Sequence, residues 1–143
     1  MNNRSFSFGN WAGRTVQLLA KSLDLRSQRH GVIASNLANI DTPGYKPLEL
    51  TFEKQLQQAI GQGGVQAIRT HQDHLPGDMD DLATIEPRLR QQREYALGNG
   101  SYQLDLDKEM ARLAKNSLAY EVTVQLISKK LAGLRLAISE GGK

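Results

Sequence analysis

The sequence predicts a mainly α protein: long N- and C-terminal helices form an antiparallel, coiled-coil-like hairpin, with a loose, irregular segment between them. Three observations lead there. From Leu106 an apolar ladder runs Leu106, Met110, Leu113, Ser117, Tyr120, Val124, Ile127, Leu131, Leu134 and Ile138, spaced alternately by four and three, with Ser117 its one polar rung. A second stripe near the N-terminus runs Ala12, Val16, Leu19, Leu23, Arg26, His30, Ile33 and Leu37 at the same spacings. Between them, residues 61–104 hold no sustained period, which is long for a connection inside a compact domain.

Taken in order, residues 1–10 are rich in Asn and Ser and read as a mobile terminus. Residues 11–47 form the N-terminal helix and its exit. The helix begins near Asn10 or Trp11 and runs to about Asn39, and Trp11, Leu18, Leu25 and Val32 widen its apolar face with a row at intervals of seven. Arg26 and His30 interrupt the main stripe, so this part either lies near water or meets carboxylates on a partner. Pro43 ends helical continuation and pushes Thr42 toward extended backbone. Pro43-Gly44 fits the central positions of a type II turn, where glycine accepts the positive φ. Asn36, Asn39 and Asp41 carry short polar side chains able to satisfy backbone groups as the helix unravels.

Residues 48–104 form the irregular middle. It opens with a short helix over 48–60 that places Leu48, Phe52, Leu56 and Ile60 on one face, and Gly61 to Gly64 end it. A brief strand over Val65–Ile68 and a short helix around Arg88–Ala96 are further expectations. Residues 105–143 hold the C-terminal heptad helix. Asp105 is its N-cap, and Asp107 and Glu109 put negative charge at the positive end of the dipole. A 35-residue helix from Asp105 to Ser139 is about 52 Å long. One small core cannot cover that length, so the seam requires another long helix, from this chain or from a neighbour.

Composition narrows function. Aromatics make up 6% of the 143 residues, too few to fill a large compact core, and the apolar residues gather toward the two ends. There is no cysteine, which excludes disulfides, thiolate metal sites and cysteine nucleophiles. The 18 basic residues are nearly balanced by 15 acidic ones and are scattered, so nucleic-acid binding is not expected. No apolar run reaches the ~18 residues of a membrane span. Nor does the N-terminus carry the apolar centre of a cleavable signal peptide. The chain therefore reads as soluble, leaving the cytoplasm, if it does, by a route without a cleaved signal. His71 and His74, near Asp73, Asp78, Asp80 and Asp81, invite a drawing of a metal or acid–base site. That part of the chain offers no rigid scaffold to hold one. No phosphate loop, dinucleotide fingerprint or nucleophile elbow occurs. No catalytic, cofactor-binding or metal residue is assigned.

Three segments resemble one family. Ala34-Ser-Asn-Leu-Ala-Asn-Ile-Asp-Thr-Pro-Gly-Tyr-Lys46 is similar to the N-terminal signature of bacterial flagellar rod and hook axial proteins. Arg69-Thr-His-Gln-Asp-His-Leu-Pro76 and Leu104 to Tyr120 resemble segments of that family's small proximal rod subunits. The resemblance runs over residues 14–139 and implies a structural subunit of the proximal rod of the basal body, torque-transmitting and periplasmic. It implies export, uncleaved, by the flagellar type III apparatus. As partners it implies other copies, other proximal rod subunits, the rod adaptor FliE and the junction of export gate and membrane ring, with no nucleic acid and no direct membrane insertion. It also matches Phe52 and Leu56 to a short gate-recognition pattern, for which an ordinary i, i+4 apolar pair is the plain alternative.

The assembly seam is expected at Leu106, Met110, Leu113, Tyr120, Val124, Ile127, Leu131, Leu134 and Ile138 with Val16, Leu19, Leu23, Ile33 and Leu37. The signature turn consists of Asn36, Asn39, Thr42, Pro43, Gly44 and Tyr45. Three other readings stay open: a different small axial subunit, a secreted coiled-coil adaptor or chaperone binding a partner helix, and a metal-dependent enzyme around His71 and His74.

Overall fold

A computed structural model describes residues 8–63, 82, 85–97 and 103–140. Of the expected mobile residues 1–10, residues 1–7 lie outside the described residues, as do the Val65–Ile68 strand, the His71/His74 segment and the side chains of Trp11 and Ala12, whereas residues 8–10 already belong to the first helix, which starts ahead of the expected Asn10 or Trp11. Helix α1 spans Phe8–Ala38, strand β1 Leu48–Thr51 and helix α2 Glu53–Gly63. Strand β2 spans Arg88–Gln91, a 3-10 turn follows at Arg93–Tyr95, and helix α3 spans Leu106–Glu140. The mainly helical fold with packed terminal helices is as expected.

Helix α1 ends where its side chains begin to compete with the ladder. The Asn39 N–H is shared between the carbonyls of Ser35 and Asn36, and its Nδ2 donates back to the Ser35 carbonyl at 2.8 Å. The Tyr45 N–H then reaches the Thr42 carbonyl at 3.2 Å around Pro43 and Gly44, whose φ is +75°. This is the expected type II turn, and the left-handed φ is why glycine occupies its third position.

Two middle-segment expectations are corrected. Leu48–Thr51 is a strand, and only Glu53 onward is helical. The Arg88–Ala96 helix is instead strand β2 and the 3-10 turn. The cause is one long-range pairing: β1 and β2 run antiparallel, with Leu48 opposite Gln91 and Thr51 opposite Arg88. The Gln92 N–H extends the ladder to the Pro47 carbonyl at 2.9 Å. Backbone groups satisfied across nearly forty residues leave no trace in a local period.

The apolar core lies beside the hairpin rather than along it. Leu25, Leu50, Phe52, Ala59, Leu82 and Ile85 form it, with Leu18, Val32 and Leu56 packed against it. The heptad row Leu18, Leu25, Val32 of α1 thus faces the middle segment. The described residues of that irregular segment supply most of the core.

Helix α3 starts as its sequence requires. The Asp105 carboxylate accepts from the N–H groups of Asp107 and Lys108 at 3.0 and 3.3 Å. It packs antiparallel on α1: Asn36 meets Glu109, while Asn116 Nδ2 donates to the Arg26 carbonyl at 2.9 Å. The contacts descend one helix as they climb the other.

Candidate assembly interface

The two long helices meet through polar side chains. The buried residues of α3 are Glu109, Asn116 and Thr123, one every seven. A heptad ladder therefore does lie against α1, but it is not the apolar one. At its top, Glu109 is wholly buried. Its carboxylate accepts from Asn36 Nδ2 at 3.1 Å, from the Tyr95 hydroxyl at 3.3 Å and from Arg112 Nη1 at 3.2 Å. Three donors from three parts of the chain make this burial tolerable, because a buried carboxylate without partners would be strongly unfavourable.

Asn36 is the matching hub on α1. Its Oδ1 accepts from the Leu48 N–H and from the Tyr45 hydroxyl, both at 3.0 Å, and its Nδ2 donates to the Leu48 carbonyl at 2.8 Å. The amide mimics a strand partner for β1, closing the far edge of the two-stranded sheet. Gln92 Nε2 adds a second donor to the same carbonyl at 2.9 Å. The signature turn is therefore a piece of architecture. Asn36 is buried, Asn39 and Tyr45 are half-buried, and Thr42, Pro43 and Gly44 stand in solvent.

A neighbouring polar cluster locks α1 to α2. Arg29 Nε donates to the Leu50 carbonyl at 2.9 Å, its Nη1 pairs with the Glu53 carboxylate, and its guanidinium sits 4.2 Å over the Phe52 ring. Burial opposes the Glu53 charge, yet the Arg29 hydrogen bond, with those of the Glu53 and Phe52 N–H groups, outweighs it and brings the pKa down to about 2. Arg26, alongside, has its pKa lowered by burial and then by Arg29.

With the polar ladder turned inward, much of the predicted seam faces outward. Leu106, Met110, Tyr120, Val124, Leu131 and Ile138 are exposed, Leu131 by 50% and Ile138 by 79%. Leu113, Ile127 and Leu134 are half-buried, as are Val16, Leu19, Leu23 and Leu37, while Ile33 is buried. At about 100° per residue the seam sits roughly 60° around α3 from the Glu109 row. Its inner edge touches α1 and its outer edge meets solvent. A second outward row, Leu118, Val122, Leu126 and Leu136, goes unseen in the heptad pattern because its residues fall between the rungs of the seam. A helix carrying apolar residues on two open sides belongs inside a bundle.

Other sequence-level candidates fall elsewhere. Phe52 is wholly buried and Leu56 half-buried against the core. The breaks at Arg26/His30 in one stripe and at Ser117 in the other come together: Arg26, His30, Asn116, Ser117, Tyr120 and Glu121 line a notch of about 320 Å³. Among the described residues no group of three His, Asp or Glu is placed to hold a metal, and no helix is long and apolar enough to cross a membrane.

The class of fold is a long antiparallel helical hairpin, closed by the Asn36–Tyr45 turn, with an apolar row left in solvent. The family profile described as "Flagella basal body rod protein" matches residues 21–46, the end of α1 and its turn. The chain is 33% identical over 135 residues to the flagellar basal body rod protein FlgB of Bacillus subtilis, covering 90% of this chain and 95% of that one. It is 31% identical to the FlgB of Aeromonas hydrophila, over 82% and 86% of the two chains, and 29% identical to that of Escherichia coli, over 85% and 90%. The chain belongs to the FlgB family of flagellar basal body rod proteins. Its role is that of a structural rod subunit.

Proposed function

We propose that the chain builds the membrane-proximal end of the rod, by burying the outer edge of the α3 seam and the Leu118–Leu136 row against neighbouring subunits. The observation that carries this reading is the turning of the Glu109–Asn116–Thr123 ladder toward α1, which leaves Leu106, Met110, Val124, Leu131 and Ile138 exposed. Exposed apolar area of this extent on one helix calls for a partner surface. Interlocked helices resist bending and twisting because many contacts must shift together, which suits a shaft under torque.

The neighbours in this reading are other copies, other proximal rod subunits, the adaptor FliE and the junction of the export gate with the membrane ring. The chain reaches the periplasm uncleaved through the flagellar type III apparatus and does no catalysis. A gate that reads Phe52 and Leu56 reads them in an unfolded chain, since folding buries the phenylalanine completely. The outer edge of the hairpin gains its apolar cover only as subunits join, because in the free subunit it lies in water. A secreted adaptor that clasps one partner helix is the second reading, favoured by the same exposed seam.

Detergent-extracted basal bodies probed for this chain decide between them. The expected result is its presence in the rod fraction, with deletion abolishing flagella. Absence from that fraction, with motility intact after deletion, leaves the adaptor.

A further inference from the structure

Four exposed charges on α3, Asp107, Glu121, Lys115 and Lys129, form no ion pair among the described residues. Asp107 and Glu121 each precede a member of the buried Glu109–Asn116–Thr123 row by two places, and so stand about 160° around the helix from it. Lys115 and Lys129 each follow one of these acids by eight residues and lie roughly 80° further round. Charges on a solvated helix face commonly pair three or four residues apart. None of these four has an opposite charge at either spacing. Lys115 shares a groove with Glu49 and Glu53 but pairs with neither, Glu53 being held by Arg29.

The two rows share one spacing. Asp107 and Glu121 are fourteen residues apart, as are Lys115 and Lys129, with Ala114 midway in the first row and Val122 midway in the second. An open helical assembly keeps every copy in the same orientation, so neighbouring copies of α3 pack in parallel. A neighbour displaced by eight residues, about 12 Å, brings both acids to both lysines at once. The same displacement sets Ala114 beside Val122 and Met110 beside Leu118, covering three exposed apolar side chains. Other displacements match less. Six residues the other way, Glu121 meets Lys115 but Arg135 meets Lys129, a like pair. A shift of 22 residues leaves only 13 of the 35 residues of α3 side by side. Because the rows lie on different faces of one helix, the contact is heterologous and repeats from copy to copy.

We propose that the Asp107–Glu121 row of one copy packs against the Lys115–Lys129 row of the next, in parallel and eight residues out of step, so that charge sets the register of α3 on α3. The apolar side chains supply the attraction. Ion pairs at such an edge add little strength, but like charges brought together penalise a wrong register, as at the flanks of a coiled coil. The inference rests on the reading that the outer faces of α3 are buried between subunits.

The chain has no cysteine of its own, so single cysteines report the register directly. Two differently tagged copies are made together in the source bacterium, one with Ala114→Cys and the other with Lys108→Cys, Val122→Cys or Leu136→Cys. These three answer to the displacements of six residues back, eight forward and 22 forward. Basal bodies are extracted and treated with a short bismaleimide. The expected product is a dimer carrying both tags in the Val122→Cys pairing, roughly tenfold above the other two. A dimer chiefly through Lys108→Cys or Leu136→Cys, or through none of the three, overturns the register. Leu131→Cys tests the underlying reading separately. Maleimide labelling there as fast in basal bodies as in the free subunit overturns the buried face as well; protection there without the Val122→Cys link overturns the register alone. A charge exchange needs no cysteine: Glu121→Lys is expected to cut swimming roughly tenfold, with recovery on adding Lys129→Glu but not Lys115→Glu. Wild-type swimming by Glu121→Lys, or recovery through Lys115→Glu instead, also overturns the proposal.

Discussion

Asn36 Nδ2 donates to the Glu109 carboxylate at 3.1 Å across 73 residues of sequence, and both side chains are wholly buried. This contact ties the turn after α1 to the start of α3, while Asn36 also holds β1 and Glu109 also holds Tyr95. Replacement by alanine strands the Leu48 backbone groups and one carboxylate oxygen at once. Asn36→Ala is therefore expected to cost about 2–4 kcal/mol, well above a single net hydrogen bond. Asn39→Ala, which removes exposed bonds to Ser35 and Thr42, should cost about 1 kcal/mol or less. Urea unfolding followed by helical circular dichroism measures both; equal losses would count against Asn36 as a hub.

Gly44 offers a test of backbone alone. A Cβ there meets nothing within 4 Å, so Gly44→Ala has no steric neighbour to disturb. Its φ of +75° remains unfavourable for an L side chain, and a loss of about 1 kcal/mol is expected. Gly44→Asn should recover part of it, because asparagine tolerates the left-handed region. A fully stable Gly44→Ala would mean that the turn relaxes to another type.

The helices and the turn were legible because their determinants are local. Asp105 caps α3, Pro43-Gly44 sets the turn, and the heptads mark both long helices. The strands were not legible, because Leu48–Thr51 and Arg88–Gln91 satisfy each other from opposite ends of the middle segment. The seam was half legible. Its apolar row stands largely in the open, while the row that meets α1 is Glu109, Asn116 and Thr123. Their seven-residue spacing is visible in the sequence. An apolar reading passes over it, because burial of a carboxylate depends on Asn36, Tyr95 and Arg112 arriving from elsewhere.

Acid should loosen α1 from α2 through Glu53. Its folded pKa of about 2 lies below the ordinary 4.5, so its stabilisation is complete above pH 4.5 and fades as pH falls toward 2. The carboxylate side is more than half exposed, so solvent screening keeps the effect within about 1 kcal/mol. Glu53→Gln is expected to be less stable than the parent near neutrality and to converge with it in acid. Urea midpoints of the two proteins at several pH values check this, and a constant gap would assign the loss to packing rather than charge.

Leu131→Asp separates assembly from folding. Leu131 is half exposed on the outer edge of the seam, so the charge stays in water in the free subunit and should change its stability by no more than about 0.5 kcal/mol. If the outer edge of the seam is the interface, the same carboxylate would be desolvated against a neighbour on assembly, at a cost of several kcal/mol per contact unless a cation met it. Ile127→Asp is the harsher change, because Ile127 is already half-buried in the single chain and a charge there disturbs the subunit's own packing as well as the seam. The expected pattern is loss of motility in both, with the helical signal of the purified subunit kept in Leu131→Asp and reduced in Ile127→Asp. Normal swimming by Leu131→Asp would move the interface off the outer edge of α3 and onto the Leu118, Val122 and Leu126 side, where Val122→Asp is the direct test.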